Sequence, residues 1–158
     1  MRRFRRILLV LLAIICALVL GLLAWRALEQ AHIAAALRIA APPGIDELEA
    51  VDLGGLPQWI SIRGHDRRKP LLLFLHGGPG FPQMPFMKNN ALLEEDFVVV
   101  QWDERGAGKT FDPDTPGATM NLEQLVGDAH QLVQILRGRF GGQRIFLCAH
   151  SYGTLVGA

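Results

Sequence analysis

Cysteine is nearly absent from this 158-residue chain, which has only Cys16 and Cys148. One falls in a long apolar run and the other in a short strand-like one, so the two are expected to lie too far apart to bridge. Cys148 reads as a small buried hydrophobe. A disulfide framework and a zinc-ligand spacing are both excluded. Internal repeats and low-complexity tracts are missing too. Basic charge is scarce where a nucleic-acid partner would need it: the whole chain carries a formal +1, but beyond Arg26 eleven basic residues face all fifteen acidic ones. A mildly acidic body argues against binding a phosphate backbone.

The N-terminus, by contrast, is strongly hydrophobic. Four arginines, Arg2, Arg3, Arg5 and Arg6, precede nineteen uncharged residues, 7–25. As a helix this run spans about 29 Å, close to the roughly 30 Å hydrocarbon thickness of a bilayer. A cleaved secretory signal has a shorter apolar core, about 7 to 15 residues, and a small-x-small site just after it. Here the A-x-A candidate, Ala34-Ala35-Ala36, lies well beyond the run. The expectation is therefore an uncleaved, single-pass signal anchor in the cell membrane. The arginines would keep the N-terminus cytoplasmic and place the remainder outside. The expected organisation is a basic tail at 1–6, a membrane helix at 7–25, a stalk at 26–45 stopped by Pro42-Pro43-Gly44, and a folded domain at 46–158.

Within that domain, two alternating runs, 47–53 and 56–62, are separated by Gly54-Gly55. Paired glycines supply the two positive φ angles of a tight hairpin turn, so an antiparallel pair is predicted. Short apolar runs at 70–76, 96–103 and 145–148 predict further strands. A helix is expected over 83–93, with its methionines and Phe86 packing inward. A clearer helix is expected over 121–140. There Leu122, Leu125, Val126, Ala129, Leu132, Val133 and Leu136 recur at three and four, with Asn121 and Gln124 as a capping pair. Strand and helix in alternation imply an α/β class with a mostly parallel sheet.

The chemistry concentrates at Ala149-His150-Ser151-Tyr152-Gly153. A strand that turns sharply into a helix with a serine at the corner is the nucleophile-elbow pattern G-x-S-x-G, here with alanine in the first small position. Small residues flank the serine because the turn is strained and the helix packs close to the strand. Upstream, His76-Gly77-Gly78-Pro79-Gly80 is a glycine-rich loop whose amides are unobstructed. Two such donors stabilise the oxyanion of acyl transfer, each contributing about 3 kcal/mol. Gly78 and Tyr152 are the expected pair. Adjacent elbow residues point apart, so His150 is not expected to be the base. His76 is expected to hold the oxyanion loop, and His130 to be solvated.

Three motifs, His76-Gly77-Gly78-Pro79-Gly80, Asp103-Glu104-Arg105-Gly106-Ala107-Gly108-Lys109-Thr110 and the elbow at Ser151, together resemble the α/β-hydrolase family, in particular its proline iminopeptidase-like branch. The resemblance covers residues from about 46 to the end. Glu104 stands where that branch often has glutamine, Thr110 replaces a serine, and Ala149 replaces a glycine. The resemblance implies a serine hydrolase needing no cofactor or metal. Ser151 would be the nucleophile, and His76, Gly77, Asp103 and Arg105 would form the supporting loop. The substrate would be a small peptide, cleaved at its N-terminal residue, or an ester. The family's triad runs serine, acid, histidine, and neither partner follows Ser151 in the seven residues left. The chain is thus expected to be the N-terminal part of such an enzyme and inactive by itself; the rival expectation is a non-catalytic membrane-tethered binding module. A remoter reading takes Gly106-Ala107-Gly108-Lys109-Thr110 as the end of a phosphate-binding loop, but its first glycine would fall on Asp103.

Overall fold

The computed structural model describes residues 2–40 and 42–158. It divides into two compact units, one up to Arg38 and the other Ile39–Ala158. The first is a single helix, α1 (Arg2–Ala36), with none of its residues buried. It is long and apolar enough to cross a membrane, with a mean hydropathy of 3.3 over its most apolar window. Residues 26–36 continue the helix without a break.

The second unit is a five-stranded sheet. Its strands are β1 (Ile45–Leu53), β2 (Leu56–Gly64), β3 (Leu71–Leu75), β4 (Val98–Trp102) and β5 (Ile145–Ala149), in the spatial order β1-β2-β4-β3-β5. Gly54 and Gly55 sit at φ of 57° and 74°, the turn their sequence predicts, and join β1 to β2 as an antiparallel hairpin. β2 pairs antiparallel with β4, whereas β3 runs parallel to both β4 and β5. The class is therefore α/β with a mixed sheet.

The sheet is covered on one face by α2 (Leu122–Arg139), whose Leu125, Ala129, Leu132 and Leu136 join Ile60, Ile62, Leu71, Leu73, Val98 and Val100 in one core. Fully burying a side chain such as Leu132 or Leu136 contributes about 2 kcal/mol each. Asn121 caps α2 by accepting a hydrogen bond from the Gln124 amide at 2.9 Å, which meets one of the helix's orphan donors. The apolar face is narrower than its sequence suggests, since Leu122 and Val126 are exposed. β4 is buried at every position, with Val98, Val100 and Trp102 in the core and the alternate Val99 and Gln101 facing the other way.

Three further expectations change. Residues 83–93 form no α-helix; a 3-10 segment, Met84–Glu95, runs there with a kink at Phe86. Pro85 in its first turn and the absence of a continuous apolar stripe account for the tighter, irregular winding. Phe86 remains substantially exposed, and of the segment only Met84 and Glu94 are buried. Cys148 is half-buried, because β5 lies at the sheet edge and leaves Phe146 and Leu147 exposed beside it. The short helix α3 (Gly153–Val156) follows, with Val156 buried and Leu155 exposed. An apolar hollow of about 230 Å³ opens between α2 and β5, lined by Leu73, Leu75, Val133, Leu147 and Val156.

Candidate active site

β3 and β5 are neighbours, parallel, and in register with Leu75 opposite Ala149. The chain segments that leave their carboxyl ends therefore emerge side by side: the glycine loop from β3 and the Ser151 turn from β5. A crevice outside the carboxyl ends of parallel strands is where ligands bind in open α/β sheets. The two segments touch. The His150 amide donates to the Leu75 carbonyl at 3.1 Å, and a Cβ built on Gly77 would fall 2.7 Å from His150 Nδ1. Gly77 is buried in this contact, and a Cβ there would have to displace the His150 ring.

Ser151 lies at φ 53°, the one non-glycine residue with positive φ among those described. For an L-residue this conformation costs about 1 to 2 kcal/mol, and the neighbours hold it in place. A Cβ on Gly153 would collide with the Leu75 carbonyl oxygen and come within 2.7 Å of that of His76, so α3 packs directly on the end of β3. The Gly153 amide donates to the His150 carbonyl at 2.9 Å, and the Thr154 hydroxyl to the Ser151 carbonyl at 2.7 Å. The Ser151 side chain does not cap the helix: the N-cap is Tyr152, without a side-chain bond. The Ser151 hydroxyl is exposed and makes no hydrogen bond among the described residues. The amides of Gly78 and Tyr152 likewise donate to no other described residue.

Beneath the glycine loop lies a buried polar layer. His76 Nδ1 is 2.9 Å from the Gly77 carbonyl, and Nε2 is 3.2 Å from the Glu104 amide. An amide can only donate, so Nε2 carries the lone pair and Nδ1 the proton, and the ring is neutral. Burial lowers the His76 pKa, against the opposing influence of the Gly77 carbonyl and the Asp103 carboxylate. Glu104 is 2% exposed, and its Oε1 has no hydrogen-bond partner among the described residues; it lies 3.8 Å from His76 Nδ1. Desolvation pushes its carboxyl up to about 7, so near neutral pH it is half protonated and its contact with the neutral imidazole is not an ion pair.

Asp103 is buried as well, and desolvation raises its pKa while the Lys109 amide, donating to Oδ2 at 2.8 Å, opposes the rise. The Thr110 hydroxyl donates to the Asp103 carbonyl at 2.6 Å and accepts from the Trp59 amide at 2.9 Å, which ties the loop after β4 to β2. These bonds leave no phosphate cradle at 106–110. The Lys109 amide is committed to a carboxylate, and the chain turns through a short 3-10 stretch, Gly108–Thr110, instead of opening a helix.

Arg105 turns elsewhere. It pairs with the buried Asp128 of α2 (Nε to Oδ2, 3.0 Å) and donates to the Leu53 and Gly54 carbonyls at 3.1 Å, so it secures the β1–β2 turn and has no bond to the glycine loop. Asp128 also accepts from Gln58 Nε2 at 2.6 Å and Gln124 Nε2 at 2.8 Å, and Trp102 Nε1 donates to Gln58 Oε1 at 3.0 Å. This network joins residues far apart in sequence. Its one visible signal was an acid at 128, inside the apolar spacing of Leu125, Ala129 and Leu132. His130 is exposed. Among the described residues no group of three or more His, Cys, Asp or Glu could hold a metal ion.

Comparison with known proteins agrees with this geometry. The family model described as serine aminopeptidase, S33, matches residues 66–158. The chain is 34% identical over 110 residues to the probable aminopeptidase YbaC of Bacillus subtilis, covering 69% of this chain and 35% of that protein. It is 25% identical over 103 residues to a proline iminopeptidase of Thermoplasma volcanium, covering 65% of this chain and 33% of the relative. Among solved structures, a proline iminopeptidase-related protein from Thermus thermophilus superposes with a TM-score of 0.59 at 28% identity, over 71% of this chain and 38% of that one. An epoxide hydrolase from Vigna radiata gives 0.58 at 29%, over 71% and 34%. The chain thus spans about a third of the length of these relatives. With strand order, corner serine and glycine loop all in place, the chain belongs to the serine aminopeptidase S33 family of α/β-hydrolases.

Proposed function

We propose that this chain carries the nucleophile and oxyanion half of a membrane-anchored serine hydrolase that transfers the acyl group of a peptide or ester to water. Ser151 is the nucleophile. The Gly78 and Tyr152 amides receive the oxyanion, His76 and Gly77 hold the loop that presents Gly78, and Asp103 fixes the turn behind it. The observation that carries this reading is Ser151 itself, held at positive φ with an unbonded hydroxyl, next to a loop with a free amide. A strained corner residue serves no packing purpose when glycine would fit it better. The relatives named as aminopeptidases favour a peptide substrate opened at its N-terminal residue.

A serine hydroxyl near pH 7 needs a base to become an effective nucleophile, and in this family the acid and the histidine come later in the chain than the serine. The chain spans about a third of the length of the relatives it matches. α1 is proposed as an uncleaved anchor, with Arg2, Arg3, Arg5 and Arg6 cytoplasmic and the sheet outside.

Reaction of the protein, purified from its own membranes, with a fluorophosphonate followed by peptide mass spectrometry tests the enzymatic reading. An adduct on Ser151 supports it; a folded protein modified elsewhere or not at all refutes it. Resistance to carbonate extraction, with protease access only from outside, is expected for the anchor, and release into the soluble fraction would overturn it.

A further inference from the structure

The peptide between Gly77 and Gly78 decides where the Gly78 amide points. In a trans peptide the carbonyl of one residue and the N–H of the next share a plane and point in opposite directions. Two donors hold the Gly77 carbonyl: the Phe81 amide at 3.1 Å and His76 Nδ1 at 2.9 Å. The first belongs to the glycine loop itself, whereas the second comes from a buried side chain. That ring has one proton to give. The Glu104 amide engages its Nε2 lone pair at 3.2 Å, so the proton stays on Nδ1, and the ring cannot take up a second one without losing that bond. Another acceptor stands close to the same proton. Glu104 Oε1 is 3.8 Å from Nδ1, buried, and without a hydrogen-bond partner among the described residues. While the carboxyl is protonated, the Gly77 carbonyl is the nearer and better acceptor. Once ionised, a carboxylate accepts roughly twice as strongly, and a buried charge with an unpaired oxygen favours gaining a donor.

We infer that Glu104 is a positioning residue for the Gly78 amide: protonated, it leaves the His76 Nδ1–H on the Gly77 carbonyl; ionised, it draws that N–H to Oε1 and frees the carbonyl. The proton lost from the carboxyl passes to water, and Nδ1 keeps its own throughout. This assignment rests on the hydrolase reading, in which Gly78 is an oxyanion donor, and it adds the group that governs that donor's aim. Burial raises the Glu104 carboxyl to about 7, with no charged neighbour contributing. The held loop therefore belongs to the acid side of neutrality and the loosened loop to the alkaline side. Around the pair, the buried Asp103 acts on the His76 ring and Lys109 acts on Asp103, both from the segment after β4. Arg105 turns away to Asp128, and His150 packs on Gly77 from the end of β5.

Amide NMR reads the aim of Gly78 without any catalysis. The full chain in nanodiscs is labelled with glycine enriched at nitrogen and carbonyl carbon. Only amides preceded by glycine then show a carbonyl coupling, and these are Gly55, Gly78 and Gly142. Between about pH 5.5 and 8.5 the Gly78 nitrogen and Gly77 carbonyl resonances should shift together, with the same midpoint as the Glu104 carboxyl, near 7. Gly55 and Gly142 should stay level, and in Glu104→Gln so should Gly78. A Gly78 resonance that stays flat in the parent chain overturns the switch, and this outcome needs no folded variant. One that moves identically in both proteins also overturns it and points to His150 instead. The rate of fluorophosphonate labelling at Ser151, as the ratio of parent to Glu104→Gln, should be near one in acid and fall about tenfold in alkali. Using the ratio cancels the ionisation of the serine's base, which both proteins share. A level ratio overturns the positioning role. A Gly78 shift that follows Glu104 in a chain whose Ser151 never labels sinks the hydrolase reading alone; labelling with a motionless Gly78 sinks the switch alone.

Discussion

Glu104→Gln should make this protein more stable at alkaline pH and leave it nearly unchanged in acid. Glu104 is almost fully buried under the glycine loop, with one carboxylate oxygen unpartnered and a neutral imidazole as its polar neighbour. Burial raises its pKa from 4.5 to about 7. The folded state therefore holds this proton more tightly than the unfolded state does. Below pH 4.5 the group is protonated in both states and takes nothing from stability. As pH rises from there through about 7, the unfolded chain ionises first and stability falls, by about 3 kcal/mol once both states are ionised. Glutamine keeps the shape and cannot ionise. The assay is urea unfolding of both proteins from pH 4 to 8.5. The stability difference should start near zero and grow to about 3 kcal/mol in favour of the variant. Using the difference removes most of the contributions of His76, lowered by burial, and Asp103, raised by burial, which both proteins share. A difference that stays flat across the range refutes the idea of an unpaired buried carboxyl.

Other perturbations follow from the same geometry. Asp128→Ala strands the Arg105 guanidinium in the core and should cost about 3 to 5 kcal/mol in urea unfolding, far more than an exposed ion pair. Ser151→Gly removes the positive-φ strain and should raise stability by about 1 kcal/mol while abolishing fluorophosphonate labelling; a loss of stability would contradict the strained corner. Asn121→Ala deletes the α2 cap and should cost about 1 kcal/mol by thermal or chemical unfolding.

Much of the fold could be read from local sequence because local rules decide it. Gly54-Gly55 specifies a turn with two positive φ angles, and the apolar runs before His76 and His150 become parallel strands because nothing polar interrupts them. Ser151 and the glycine loop were legible for the same reason, since their backbone demands are written in small residues. What escaped depended on partners distant in sequence. Asp128 reads as a helix-surface acid until Arg105 and Gln58 arrive, 23 and 70 residues away, to satisfy it. Arg105 accordingly supports the hairpin turn, and the glycine loop rests on His76 and the backbone of Glu104. The exposure of Phe86 was hidden because an aromatic residue in a helical-looking stretch reads as core, whereas the kinked 3-10 winding turns it toward Phe81 and solvent.

The central claim is that the Ser151 hydroxyl faces two free amides across the ends of β3 and β5. A crystal structure of the fluorophosphonate adduct measures this directly. The account predicts phosphorus on Ser151 Oγ and the phosphonyl oxygen about 3 Å from both the Gly78 and Tyr152 nitrogens. An adduct oxygen turned to solvent, with Gly78 out of reach, would contradict it.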